Sequence, residues 1–233
     1  MTPFLRGMVE ATISTFTLPS PVVEIGSYQV EGQSKLIDLR SLFVKDSYLG
    51  VDVRPGPGVD RIENVEKMTL PDQSAGTVLA LSTLEHVKRF WLGIAEIKRI
   101  LRPDGILILC TPFYFRIHQH PSDYWRFTTE ALDSLLCDHF PQRILGQQGP
   151  TKRPSNTWAI AFGPEQPTVS IHQIEQYQSA LNRLASTPWK GMKWLRYRLA
   201  SLISGSKPFE GFLEQDRISL EVRRGITSET VAA

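Results

Sequence analysis

The chain has 233 residues, 41% of them hydrophobic and 21% charged, with a formal net charge of +2. That is an ordinary globular composition, and the charge is too small to mark nucleic acid as the partner. Two cysteines, Cys110 and Cys137, cannot build a disulfide framework, and no apolar run approaches the length of a membrane span.

Residues 3–17 space Phe4, Leu5, Met8, Val9 and Ile13 as a short amphipathic helix, stopped before Pro19 and Pro21, that would cover an edge or the mouth of a site. The stretch lacks the continuous apolar core of a secretory signal, so a cytoplasmic setting is the default. Val22, Val23 and Ile25 read as a strand buried on both faces, ending at Gly26, with a helical spacing resuming at Leu36, Leu39 and Leu42. Strand, glycine turn and helix present a nucleotide site at the carboxyl end of the first strand of an α/β sheet. Tyr28 stands where a glycine fingerprint wants its second glycine. Tyr48–Val53 is a second buried strand with Asp52 at its tip, where an acid can accept both hydroxyls of a ribose or simply cap a turn.

Arg54 to Asp60, with two prolines and two glycines, is a stiff open loop. A short third strand falls within residues 59–65, with Asn64 near its end, and 68–76 is a loop. Residues 77–82 form a fourth, almost wholly apolar strand, with Thr83-Leu84-Glu85-His86-Val87 at its carboxyl end. Phe90, Ile94, Ile97 and Leu101 mark one helical face over 89–101; Arg102–Gly105 is a turn and Ile106–Cys110 a fifth strand. Thr128 or Thr129 caps a helix through Leu132, Leu135 and Leu136. Residues 143–148 and 157–162 close the sheet as an antiparallel edge hairpin. The fold class is α/β, a Rossmann-like, doubly wound, mostly parallel seven-stranded sheet with that C-terminal hairpin and a helical C-terminal extension. The expected division is a helical segment over 1–20, the sheet domain over 21–163 and the extension over 164–233, begun by Pro164 and Pro167.

In the extension, Ile171, Ile174, Tyr177, Leu181 and Leu184 keep a helical spacing. Residues 189–203 are basic and aromatic. They read either as a membrane-surface helix or as a cover helix on the domain or on a second subunit of a homodimer, and the stripe Leu195, Leu199, Leu202 and Ile203 favours the cover. The last 18 residues, polar apart from Ile218, Leu220, Val222 and Ile226, read as partly disordered.

The densest chemistry lies in 111–126: Phe113, Tyr114, Phe115, His118, His120, Asp123, Tyr124, Trp125 and Arg126. His118, His120 and Asp123 are candidate general bases, with His86 the next candidate after them. His118-Gln119-His120 with Asp123 also suits a metal by ligand type, although no metal is assigned. Phe113, Tyr114, Tyr124 and Trp125, together with His86, would shape a pocket for a bound molecule, with Arg126 able to pair with an acidic group on it.

Val23-Glu24-Ile25-Gly26-Ser27, Gly50-Val51-Asp52, Leu70-Pro71-Asp72, Leu81 to Val87 and Glu96 to Gly105 resemble, in order and spacing, the class I S-adenosylmethionine-dependent methyltransferases, in particular the type 11 small-molecule subgroup. The resemblance spans roughly 20–162. It implies S-adenosyl-L-methionine as cofactor, with Glu24 and Gly26 beside its amino-carboxylate, Ser27 in the same turn, and Asp52 on the ribose with Val53 adjoining. Asn64, flanked by Val65, would stand where relatives place an acid on the adenine amino group, and Ser82 and Leu84 would line the sulfonium. The implied activity is methyl transfer to a small molecule or glycan, on oxygen; His120 to Arg126 resembles a segment of bacterial methyltransferases that lean toward cell-surface glycans. Two other readings stand beside it. One is a non-catalytic interaction module on the same fold, and the other a methyltransferase docked on a membrane through 189–203 to reach a lipid-linked acceptor.

Overall fold

The computed structural model describes residues 3–30, 38–118, 122–185, 192–204 and 217–225. The first helix, α1 (Pro3–Thr15), buries Phe4, Leu5, Met8 and Val9, as their spacing requires. β1 (Val22–Ile25) is buried at every position and lies parallel between β2 (Tyr48–Asp52) and β4 (Ala75–Leu81). β3 is only Arg61–Ile62, shorter than the run expected over 59–65, because both side chains face solvent and nothing apolar holds a longer pairing. Of the helix expected through Leu36, Leu39 and Leu42, residues 36 and 37 lie outside the described residues; beyond them Leu39 is buried and Arg40–Leu42 make only a single 3-10 turn, not an α-helix.

Helix α2 (Phe90–Ile100) buries Gly93, Ile94, Ile97 and Ile100 and carries Lys98 and Arg99 in its last turn, where cations suit the helix dipole. It runs directly into β5 (Leu101–Pro112), so the turn expected at 102–105 is strand instead. The pairing with β4 slips there, Ala75 opposing Leu101 and Thr77 opposing Ile106, and the irregularity absorbs the Pro103–Gly105 segment. Helix α3 (Thr129–Leu136) is capped by the Thr128 hydroxyl, which accepts from the Ala131 amide at 3.1 Å. β6 (Gln142–Gln148) and β7 (Asn156–Phe162) form the expected antiparallel hairpin.

The hairpin is not the edge. β8 (Ile218–Arg224) pairs antiparallel with β6, completing an eight-stranded sheet of order β3-β2-β1-β4-β5-β7-β6-β8 rather than seven strands. Part of the tail read as polar and partly disordered is thus structured: Ile218, Leu220 and Val222 alternate with Ser219 and Glu221, a period-two pattern that sets one side against the core. Arg143, fully buried on β6, ties this end together by bonding Asp133, the Phe140 carbonyl and the Gly225 carbonyl.

Both sheet faces are covered. On one, α1 and α4 (Ile171–Leu184) pack Phe4, Met8, Tyr177 and Leu181 against Leu79, Ile108 and Trp158. On the other, α2 and α3 pack Ile94, Ile97 and Leu132 against Val78, Leu107 and Leu145. The alternation of Leu79 with Val78 and of Ile108 with Leu107 is the strand pleat distributing side chains to two cores. α1 therefore covers a sheet face, joined to α4 at Gly7, where a Cβ would lie 2.2 Å from the Leu184 carbonyl oxygen. The last helix, α5 (Met192–Ser204), leaves Leu195, Leu199, Leu202 and Ile203 exposed, so that stripe does not cover this chain's own sheet. No helix among the described residues is long and apolar enough to cross a membrane.

Candidate functional site

Successive strands leave β1 first toward β2 and then, by way of β4, in the opposite direction. The carboxyl ends of β1 and β4 therefore border the crevice where an open α/β sheet receives its ligand. Gly26 turns the chain out of β1 at φ +79°, and a Cβ on it would lie 2.3 Å from Thr83 Oγ1. That hydroxyl donates to the Ile25 carbonyl at 2.9 Å. Glycine is required here twice, by the sign of φ and by the threonine that pegs the tip of β1 to the end of β4.

Asp52 stands across from this turn. Its carboxylate accepts from the amides of Tyr28 at 3.3 Å and Arg54 at 3.0 Å, with Arg54 Nε 3.6 Å away. The Tyr28 ring is engaged on the neighbouring loop. The Arg54 guanidinium lies 4.5 Å over its face, and a Cβ on Gly56 would come within 2.4 Å of it. The glycine missing at position 28 is answered by one at 56 that makes room for the ring.

Glu24 is buried on β1 and accepts from the Tyr48 hydroxyl at 2.7 Å. Burial pushes its carboxyl up to about 7, against the Tyr48 hydrogen bond and the Arg40 charge, which pull it down. Ser27 is buried, and its hydroxyl has no hydrogen-bond partner among the described residues. These groups fit an adenosylated amino acid. A carboxylate has about four lone-pair sites, so Asp52 keeps capacity for ribose hydroxyls beyond its two amides. Glu24 would ionise against an ammonium, and Ser27 offers an unused polar atom.

The adenine side is less furnished. Asn64 is exposed with its side-chain oxygen on the Glu66 amide at 2.9 Å, Val65 is buried against Gly93 of α2, and Val53 is exposed. Ser82 holds a left-handed conformation at φ +52°, donating from its amide to the Cys110 carbonyl, and Leu84 is wholly buried.

Beyond Thr83 the chain makes a 3-10 turn, Leu84–His86, over which residues 122–127 fold as a strap. The amides of Tyr124 and Trp125 both donate to the Glu85 carbonyl, and the Trp125 indole donates to the Val87 carbonyl at 3.0 Å. His86 and His118 meet edge to face, 4.8 Å between ring centroids. His86 Nδ1 lies 2.6 Å from the Ser122 carbonyl oxygen, and His118 Nδ1 lies 3.0 Å from Asp123 Oδ2. Arg126 grips both oxygens of Asp123, and chiefly through those hydrogen bonds holds its carboxyl well below the usual carboxylate range. Glu85 is fully buried, and among the described residues neither carboxylate oxygen makes a hydrogen bond to another residue. Burial pushes its carboxyl up to about 8, against its own backbone amide and the Arg126 charge.

Five of the residues expected here, His86, His118, Asp123, Trp125 and Arg126, are thus brought together, while His120 lies outside the described residues. Phe113 and Tyr114 go elsewhere. Their amides donate to the Ser155 and Pro154 carbonyls, prolonging β5 beside β7, and the Tyr114 ring lies under Arg153. Sequence reasoning missed Thr83, Tyr48 and Glu85 as site residues. Glu85 sits inside the Leu84-Glu85-His86 motif, but an acid in a helical turn carries no local sign of being buried.

Residues 38–109 match a protein family described as "Methyltransferase domain". A search of curated proteins finds no match. Among solved structures, a SAM-dependent methyltransferase from Archaeoglobus fulgidus superposes with TM-score 0.53 at 13% identity, over 68% of this chain and 92% of that one. The Burkholderia thailandensis 1,6-didemethyltoxoflavin-N1-methyltransferase, solved with 1,6-didemethyltoxoflavin and S-adenosylhomocysteine, gives TM-score 0.51 at 18% identity over 70% and 79%. A Thermotoga maritima SAM-dependent methyltransferase, described as a possible histamine N-methyltransferase, gives 0.50 at 16% over 69% and 89%.

Proposed function

We propose that this chain is a class I S-adenosylmethionine-dependent methyltransferase that methylates an oxygen of a small-molecule or glycan acceptor, a reading supported by its fold and by the match of residues 38–109. When bound, the cofactor supplies a methyl group already activated on a sulfonium. The residues of this chain therefore need only position the reactants and handle a proton. Glu24 and the Gly26–Ser27 turn hold the amino acid end, Asp52 the ribose. His86 and His118 stand beyond Thr83, next to the sulfonium side, where an acceptor hydroxyl would lose its proton. Asp123 orients His118 through Nδ1, and Arg126 keeps Asp123 anionic. Tyr124 and Trp125, both partly exposed on the strap, flank the acceptor's path.

One observation carries this reading. The Thr83 hydroxyl bonded to the Ile25 carbonyl joins the Gly26 turn to the His86–His118 cluster at one end of the sheet. Calorimetry with S-adenosylhomocysteine is the direct test. Micromolar binding that Asp52→Ala weakens about 100-fold or more is expected, and no heat at millimolar ligand would retire the reading. A second reading, an acceptor carried on lipid, is favoured by the exposure of Leu195, Leu199, Leu202 and Ile203 on α5. Flotation with anionic liposomes tests it; binding unchanged by deleting 189–203 removes it.

A further inference from the structure

We propose that Glu85, His86 and His118 form a binding site for one divalent first-row transition ion of the zinc type. Each offers one ligand atom, and the three atoms lie within 4.8 Å of one another. Glu85 Oε1 and His86 Nε2 are 3.7 Å apart. Ligands on a common ion, at about 2.1 Å each, span at most about 4.2 Å. Small side-chain rotations therefore close the set.

Three further features are those of a metal centre. The Glu85 carboxylate is fully buried and, among the described residues, hydrogen-bonds to no other residue, an arrangement that is costly for a charge without a cation beside it. Asp123 does not share that need, because Arg126 neutralises it through both oxygens. The acceptors on the Nδ1 side of both imidazoles, the Ser122 carbonyl and the Asp123 carboxylate, make Nδ1 the protonated nitrogen and put the lone pair on Nε2. Metal-binding histidines are oriented in this way by carbonyl and carboxylate partners. Two imidazoles and one carboxylate suit zinc, cobalt or iron(II) rather than magnesium or calcium, and three protein ligands leave a position open.

The role of the ion, unlike its binding, rests on the methyltransferase reading. In the open position it would hold an oxygen acceptor and acidify its hydroxyl. His86 and His118 would then be ligands and not bases, which replaces the general-base role given to them above.

The test uses the full chain, stripped with chelator and titrated with Co2+ alone, without cofactor. Expected are one Co2+ per chain, a visible d–d absorption band, displacement by Zn2+, and loss of the band in His118→Ala and Glu85→Gln. Asp123→Asn, which removes only the charge behind His118, should weaken binding roughly 10- to 100-fold while far-UV circular dichroism stays native. No uptake of Co2+ or Zn2+ at millimolar concentration, or uptake unchanged in Glu85→Gln and Asp123→Asn, overturns the proposal. Binding of S-adenosylhomocysteine, measured separately, tells failure of the metal site from failure of the methyltransferase reading.

Discussion

Two buried glutamates at the same end of the sheet have opposite surroundings. Glu24, at the β1 end, is answered from within the chain by the Tyr48 hydroxyl, with Arg40 near enough to act on it. Glu85, after β4, has two imidazoles and the Asp123–Arg126 pair around it, and among the described residues no hydrogen bond from another residue. Both carboxyls are raised by burial. In the first half of the crevice the carboxyl already has a partner within the chain, and a ligand adds to it. In the second it has no hydrogen-bond donor from another described residue, and a cation from outside would favour its ionised form.

The sharpest way to break that contrast is at Asp52, the other anchor of the satisfied half. Asp52→Ala should weaken S-adenosylhomocysteine binding about 100-fold or more, because two charge-assisted hydrogen bonds at ~1.5 kcal/mol or more each are lost. Asp52→Asn, which still accepts from the Tyr28 and Arg54 amides, should keep the thermal midpoint; a variant that melts early would mean the loop and not the ligand contact was removed. Gly26→Ala comes next. It combines a left-handed backbone with a Cβ driven into Thr83, and should destabilise the chain by ~2–3 kcal/mol in urea unfolding. Adding Thr83→Ala should relieve only part of that, since φ remains wrong.

Glu24 gives a pH dependence of definite sign. Its folded pKa, about 7, lies above the ordinary 4.5. Its contribution to stability is therefore full below about 4.5 and lost as pH rises through about 7. Glu24→Gln should raise the thermal midpoint at pH 8 and leave it nearly unchanged at pH 4.5. A cofactor ammonium favours the carboxylate, so binding should release a proton and tighten by up to about tenfold per unit between pH 5.5 and 7. Calorimetry in buffers of different ionisation enthalpy reads that proton, and Glu24→Gln should abolish it. The smallest effect is expected at Asn64. Exposed and turned to the Glu66 amide, it should change cofactor affinity less than about threefold on substitution by Ala.

Much of this was written in the chain itself. Val22 to Ile25, Thr77 to Leu81 and Ile106 to Cys110 are apolar at nearly every step, and only a strand covered on both sides uses such runs. Gly26 and Asp52 were legible because a strand tip confines what they can do. What escaped depended on distant partners. Ile218, Leu220 and Val222 alternate plainly, yet their strand exists only because β6 offers an edge on the far side of the sheet. Pro103 and Gly105 read as a turn, but pairing with β4 holds them extended. The burial of Glu85 comes from a strap forty residues downstream, and no local pattern announces it.

Trp125 gives the molecule an optical reporter of its own. Its indole is hung from the Val87 carbonyl and stays about one-third exposed beside the cluster, whereas Trp158 is sealed in the core. Emission from Trp125 should respond to an acceptor or a quenching ion entering the crevice, over the background of the other four tryptophans. The difference between the chain and a Trp125→Phe variant isolates that response, so occupancy of this end of the sheet can be followed by fluorescence before any acceptor is identified.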